Sequence, residues 1–271
     1  MKLGLIAGNG RFPFLLLDAA RAHGAEVVVA AIKEETDPEM DARAAVDSGV
    51  CVHWLSLGEL SRLIETFQRE GVTRAVMAGQ VKHKQIFSSI RPDWRLAKLL
   101  MSLPSKNTDG LIGGVIKILA DEGIHLTDST ALLKPLLAAE GAMTRRKPDK
   151  DEMTDVKYGH RVANALSGLD VGQSVAICER ACVAVEAMEG TDAMLRRAAG
   201  LVNGRRLALV KAARRREHLL FDVPVVGLDT VPVMRETGTT VLAVEAGRTL
   251  MLDRENMLEA ANEAGIAIVG I

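Results

Sequence analysis

The stretch LGLIAGNGRFP, residues 3–13, decides the fold class. Residues 3–7 form a short apolar run, and Gly8-Asn9-Gly10 follows it, which reads as a buried strand ending in a tight turn. Pro13 then fits the first turn of a helix reaching to about His23, because its missing N–H would have no partner there anyway. Working outward, EVVVAAI (26–32) is a second buried strand and residues 51–55 a third. Leu60, Leu63, Ile64 and Phe67 have helical spacing within 57–70. Another buried strand, AVMA (75–78), precedes Gly79 and Gln80, and residues 94–103 and 111–121 read as helices. Strands alternating with helices imply an α/β protein whose N-terminal domain is a Rossmann-like parallel sheet.

EGAMTRRKPDKDEMTD (140–155) changes character: it is charged, contains Pro148 and has almost no large apolar residue. It divides the chain into an N-terminal domain (1–140), a linker (141–155) and a C-terminal domain (156–271). Beyond it the pattern gives a helix at 158–166, a hairpin of 174–178 and 182–187, a helix at 192–201 and a strand at 207–211. An extended segment at 223–226, a helix at 231–237, strands at 240–245 and 249–252, a helix at 254–264 and a strand at 266–269 follow. Hairpins mixed with helices imply a C-terminal mixed α/β domain.

Across its 271 residues the chain carries 34 basic and 35 acidic side chains, so no global basic field holds a nucleic acid. Five Phe, two Trp and one Tyr are too few for a base-stacking surface. No segment reaches the roughly 18 apolar residues of a membrane span. The N-terminus lacks a signal-peptide pattern, so the expectation is a cytoplasmic protein with room for contact with a membrane surface. Cys51, Cys178 and Cys182 read as buried small hydrophobes in a reducing compartment. The six histidines form no HxH or HExxH pair, which leaves zinc catalysis unsupported, and neither GxSxG nor a Walker loop occurs.

Five segments carry candidate chemistry. Gly8-Asn9-Gly10, between a first strand and a first helix, suits an anion such as a phosphate, or is simply a turn needing positive φ. A dinucleotide fingerprint would need glycine where Pro13 stands, so a standard NAD site is rejected. Gln80 and Lys82 follow the AVMA strand and either face the same crevice or belong to a solvated basic loop. In Glu189-Gly190-Thr191-Asp192, Thr191 or Asp192 either caps a helix or touches a phosphate or metal. Six cations stand between Arg205 and Arg216, with Lys211 at the end of an apolar strand and the arginines on a solvated loop. Asp222, in FDVP, either caps a turn before Pro224 or acts as a Mg²⁺ ligand or base.

In order along the chain stand GLIAGNGRFP, AGQVKHK, VGQSVAI, VAVEAMEGTDAMLRRA, LALVK, FDVPVVGLDT and AVEAGRTLMLDRENMLEAANEAGI. Together they resemble the UDP-2,3-diacylglucosamine pyrophosphatase family called LpxI. The resemblance implies two α/β domains, the first Rossmann-like, with the substrate between them. It implies a Mg²⁺-dependent hydrolase of lipid A biosynthesis in Gram-negative-type bacteria, releasing UMP and the diacylglucosamine 1-phosphate lipid X. Asp222 matches the last Asp of a family segment resembling KPxQDxRFDxP. His218 and Leu220 replace its first Asp and its Arg, so those two roles are not carried over.

On this basis Asp222 is expected to hold the metal or orient water, and Lys211 to contact a phosphate. Gly190, Thr191 and Asp192 are placed at the reacting diphosphate, and Gly8, Asn9, Gly10, Gln80 and Lys82 on the opposing face. The lipid-linked sugar nucleotide implies an apolar groove for two acyl chains. Peripheral contact with the inner membrane and a homodimer are left open, and nucleic acid is not a partner. The alternative is a non-catalytic nucleotide-sugar or lipid-phosphate binding protein. A Rossmann-type oxidoreductase is a third reading, against which Pro13 speaks.

Overall fold

The computed structural model describes residues 2–79, 81, 91–103, 108–169, 171–213 and 223–271. Gln80, Lys82, His218, Leu220 and Asp222, and with them Arg214, Arg215 and Arg216, lie outside the described residues. The chain divides into two compact units, Met1–Leu133 and Lys134–Ile271. No helix among the described residues is long and apolar enough to cross a membrane.

In the first unit, β1 (Lys2–Ala7), β2 (Glu26–Ile32), β3 (Val50–Leu55), β4 (Arg74–Ala78) and β5 (His125–Leu126) form one sheet in the order β3-β2-β1-β4-β5. Every pairing in it is parallel. A central parallel strand is buried on both faces and must be apolar throughout. That is why VVVAAI in β2 is buried from Val27 to Ile32. Helix α1 (Phe12–Ala22) packs on β1, β2 and β4 through Phe14, Leu16 and Leu17. On the other face, α3 (Leu60–Arg69), α4 (Trp94–Ser102) and α5 (Thr108–Asp121) enclose a core around Phe67, Ile64 and Leu119. The alternation of strands and helices and the strand order make this unit Rossmann-like.

Helix α2 (Glu39–Val46) escaped the sequence reading because it buries one residue, Met40, and so carries no apolar stripe. Cys178 is buried and Cys182 half-buried, but Cys51 is exposed, which corrects the expectation for that residue. It lies on β3, the edge strand of its sheet, where only part of the surface is covered.

The second unit is built on β6 (Gly141–Ala142), β7 (Ser174–Cys178), β8 (Ala181–Val185), β9 (Leu207–Lys211), β11 (Thr239–Val244) and β13 (Ala267–Gly270). Their order is β6-β13-β11-β9-β7-β8, with β13, β11 and β9 parallel and β6, β7 and β8 antiparallel to their neighbours. The sheet is therefore mixed, and β7–β8 is the expected hairpin. Helix α6 (Lys150–Gly168) covers one face. Helices α7 (Thr191–Leu201), α8 (Thr230–Glu236) and α9 (Arg254–Glu263) cover the other. Two short strands, β10 (Val225–Gly227) and β12 (Leu250–Leu252), pair in parallel as a separate ribbon.

The stretch 141–155 is not a linker. It opens with β6 on the sheet edge and closes with the first turns of α6, both inside the second unit. Asp149 and Glu152 form a reciprocal capping box at the start of α6. Arg146 reaches both oxygens of the buried Glu152 and donates to the carbonyls of Gly265 and Thr240. Thr240 Oγ1 also donates to Glu152, at 2.6 Å. Thr144 Oγ1 accepts from the Ile268 amide. Arg146, Asp149 and Glu152, three of the charges that made the segment look solvated, are thus tied to one another and to the sheet end. Arg206 and Arg205 are likewise engaged, with Asp149 at 2.7 Å and Glu179 at 3.0 Å.

Candidate functional site

Within the first unit the strand order reverses between β1 and β4, and in open parallel sheets ligands bind at such a switch point, outside the carboxyl ends. Gly8-Asn9-Gly10 ends β1 there, and Gly79 ends β4. The two turns touch: the Gly8 amide donates to Ala78 O at 2.8 Å. Gly79 has φ +92, and a Cβ on it would lie 2.6 Å from Asn9 O and 2.7 Å from the Gly8 carbonyl carbon. Both are backbone atoms, which cannot swing aside. Gly79→Ala is therefore expected to lower stability by more than the ~1–2 kcal/mol of a left-handed conformation alone, read as a lower urea midpoint at unchanged slope.

Two residues that the sequence did not single out complete this corner. Thr36 Oγ1 donates to Ala7 O at 2.6 Å and accepts from the Ile32 amide, locking the loop after β2 under the turn. Asn9 Nδ2 donates to the buried Glu35 at 3.3 Å, so the Asn9 side chain is held by the protein. The turn's backbone, rather than that side chain, is the part suited to an anion. The α1 N-cap, Arg11, makes no side-chain cap, and Arg11 pairs with Glu39 at 3.0 Å.

In the second unit, four polar side chains meet at one end of the mixed sheet. Ser174 begins β7, and Lys211, its antiparallel register partner, ends β9. Glu186 follows β8, with its amide on Ser174 O at 2.9 Å. That approach requires Gly172, where a Cβ would stand 1.9 Å from Glu186 O. Thr191 opens α7. Its Oγ1 donates to Glu186 Oε1 at 2.9 Å, lies 3.3 Å from Ser174 Oγ and 3.4 Å from Lys211 Nζ. A threonine hydroxyl has one proton. With that proton on Glu186, Thr191 accepts from both Ser174 and the Lys211 ammonium.

Neither Thr191 nor Asp192 caps α7. The N-cap is Gly190, at φ 85, and among the described residues no side chain caps the first-turn amides. Those amides, the positive end of the helix dipole and the Lys211 ammonium together form a surface suited to a phosphate oxyanion. Asp192 is the second helical residue, where its charge favours the helix start. Arg197 in α7 holds the loop before it by donating to Val185 O and pairing with Glu189, whose carboxyl it keeps below the usual range. Gln173, next to Ser174, has a buried Oε1 that accepts nothing among the described residues.

The structure brings Lys211 and Thr191 together, with Gly190 before and Asp192 after Thr191. Ser174 and Glu186 were missed. Their signal is strand register: β7 pairs Ser174 with Lys211 of β9, and the β7–β8 hairpin returns the end of β8 on the other side of Ser174. This donor set holds one carboxylate, already engaged by Thr191, beside an ammonium. It does not resemble the oxygen cage of a divalent cation.

The LpxI N-terminal domain model matches residues 2–136 and the LpxI C-terminal domain model residues 139–269. A curated relative from Caulobacter vibrioides, UDP-2,3-diacylglucosamine pyrophosphatase LpxI, is 32% identical over 280 residues, covering 100% of this chain and 97% of its own length. These findings correct the expected function. They carry a UDP-2,3-diacylglucosamine pyrophosphatase, and neither the domain descriptions nor the relative's name carries magnesium. They also displace the non-catalytic alternative, since the relative is named as an enzyme.

Proposed function

The chain belongs to the LpxI family, and from that premise we propose that it hydrolyses the pyrophosphate linkage of UDP-2,3-diacylglucosamine in lipid A synthesis. The observation that carries this reading is the Lys211 ammonium held at Thr191, beside the uncapped start of α7. In the reaction, a water oxygen joins one phosphorus and the bridging oxygen leaves with the other. Negative charge grows on the leaving phosphate. Fixed donors aimed at that charge lower the barrier, because they need no reorganisation as it develops.

Lys211 is the proposed catalytic cation, and the amides at Thr191 and Asp192 bind a phosphate oxygen. Glu186 and Ser174 position the Thr191 hydroxyl. The Gly8-Asn9-Gly10 backbone is the proposed contact for the anionic nucleotide. Gln80, Lys82 and Asp222 keep the roles that the resemblance implies, lining the substrate for the first two and orienting water for the third. The reading includes peripheral contact with the inner membrane, because two acyl chains anchor a substrate stably in a bilayer.

The test is direct. Pure protein is incubated with UDP-2,3-diacylglucosamine, in chelator and in added divalent cation, and followed by ³¹P NMR. The expected result is replacement of the paired diphosphate resonances by two phosphomonoester resonances. An unchanged diphosphate spectrum in both conditions would refute the reading.

A further inference from the structure

On β3 the side chains of Cys51 and His53 stand two residues apart and so point to the same side of the strand. Glu70, the C-cap of α3, comes to meet them. Cys51 Sγ lies 3.3 Å from His53 Nε2, and the same nitrogen lies 3.2 Å from Glu70 Oε1. All three ligand atoms fall within 4.8 Å of one another. His53 and Glu70 are roughly one-quarter exposed and Cys51 is open to solvent, so an ion can enter.

An ordinary hydrogen-bond network explains this cluster poorly. An imidazole nitrogen carries one proton or one lone pair. If Nε2 donates to Glu70, the Cys51 sulfur gets only a weak share of that one proton, and if Nε2 accepts from the thiol it faces Glu70 with no proton. We propose that a Zn²⁺ ion binds here, held by Cys51 Sγ, His53 Nε2 and Glu70 Oε1.

The two separations at His53 Nε2 agree with that assignment. Tetrahedral Zn²⁺ with bonds of about 2.3 Å to sulfur and 2.0–2.2 Å to nitrogen and oxygen places S and N about 3.6 Å apart, and N and O about 3.4 Å apart. The observed 3.3 and 3.2 Å need only a few tenths of an ångström of opening. On binding, the Cys51 thiol loses its proton to solvent. The thiolate and the Glu70 carboxylate then balance the double positive charge, and water fills the fourth position. The scattered histidines gave no ligand pair in sequence because the partner of His53 is a cysteine on a strand, with a carboxylate 17 residues away.

The experiment titrates the metal-free full chain with Co²⁺ as a spectroscopic stand-in, then displaces it with Zn²⁺. One equivalent is expected to give thiolate-to-cobalt charge transfer in the near ultraviolet and the strong visible bands of tetrahedral cobalt. Zn²⁺ is expected to abolish both. Cys51→Ser is expected to remove the charge-transfer band, and His53→Ala to weaken binding by more than the ~10–100-fold typical of losing an outer-shell partner. Glu70→Gln is expected to weaken it as well. A Cys178→Ser, Cys182→Ser double variant keeps the band. Because Cys51 is exposed, Cys51→Ser leaves the core intact, and circular dichroism confirms that. A wild-type chain without the band, or a band that survives Cys51→Ser, overturns the proposal.

Discussion

Replacing Lys211 with methionine is expected to lower kcat/KM for UDP-2,3-diacylglucosamine by about 10²–10³-fold, the loss seen when one fixed donor to a developing oxyanion is removed. Methionine keeps the apolar stem in the sheet and deletes only the ammonium, which the structure places 3.4 Å from Thr191 Oγ1. The folded state should suffer little, since Lys211 is half-buried at a strand end and makes no ion pair among the described residues. A thermal midpoint close to wild type, together with the loss of rate, would separate the catalytic role from a structural one. The kcat and KM values divide the effect further. A fall confined to kcat places the ammonium on charge that appears only in the transition state, whereas a rise confined to KM places it on ground-state phosphate. Activity near wild type in a folded Lys211→Met protein would remove Lys211 from the mechanism.

Glu152→Ala is expected to destabilise the second unit by about 1.5–3 kcal/mol, the worth of a buried carboxylate's charge-assisted hydrogen bonds when the Arg146 left behind is partly solvated. Glu152 is 4% exposed. Its carboxylate accepts from Arg146, Thr240 Oγ1 and the Asp149 amide. The same contacts set a pH dependence. Burial by itself raises the Glu152 pKa, but the hydrogen bonds from Arg146, Thr240 and Asp149 outweigh it and hold the carboxyl below its ordinary value. A carboxylate depressed in the folded state adds stability that is complete above its unfolded pKa and is lost as the pH falls through the folded one. Urea unfolding of the wild type should therefore weaken on acidification below the ordinary carboxylate range. Glu152→Ala should flatten part of that slope. An equal acid dependence in both proteins would show that Glu152 does not contribute to it.

The parallel core of the first unit could be read from residues 3–78 because its cause is local. A strand covered on both faces leaves polar side chains nowhere to go, so β2 shows as an unbroken apolar run. The turn chemistry of Gly8-Asn9-Gly10 and Pro13 then punctuates strand and helix. The same logic misjudged the stretch 141–155. Its charges look solvated until Arg146 is seen reaching Thr240, 94 residues away, and Glu152, on the same sheet end. Polar density reports exposure only where polar groups have no partners within the fold.

Local pattern and ordered motifs thus determine a great deal by themselves: two α/β units, the parallel sheet of the first, the hairpin of the second and membership in the LpxI family. Tertiary structure decides which side chains share a site. Lys211 meets Thr191, Ser174 and Glu186 because antiparallel register places Ser174 opposite Lys211 and brings the end of β8 alongside. Cys51, His53 and Glu70 meet because α3 returns its last turn over β3. Periodicity and turn residues act over a few positions and are written in order along the chain. Strand register and helix return join residues of distant sequence number, and they take effect only once the sheets are formed.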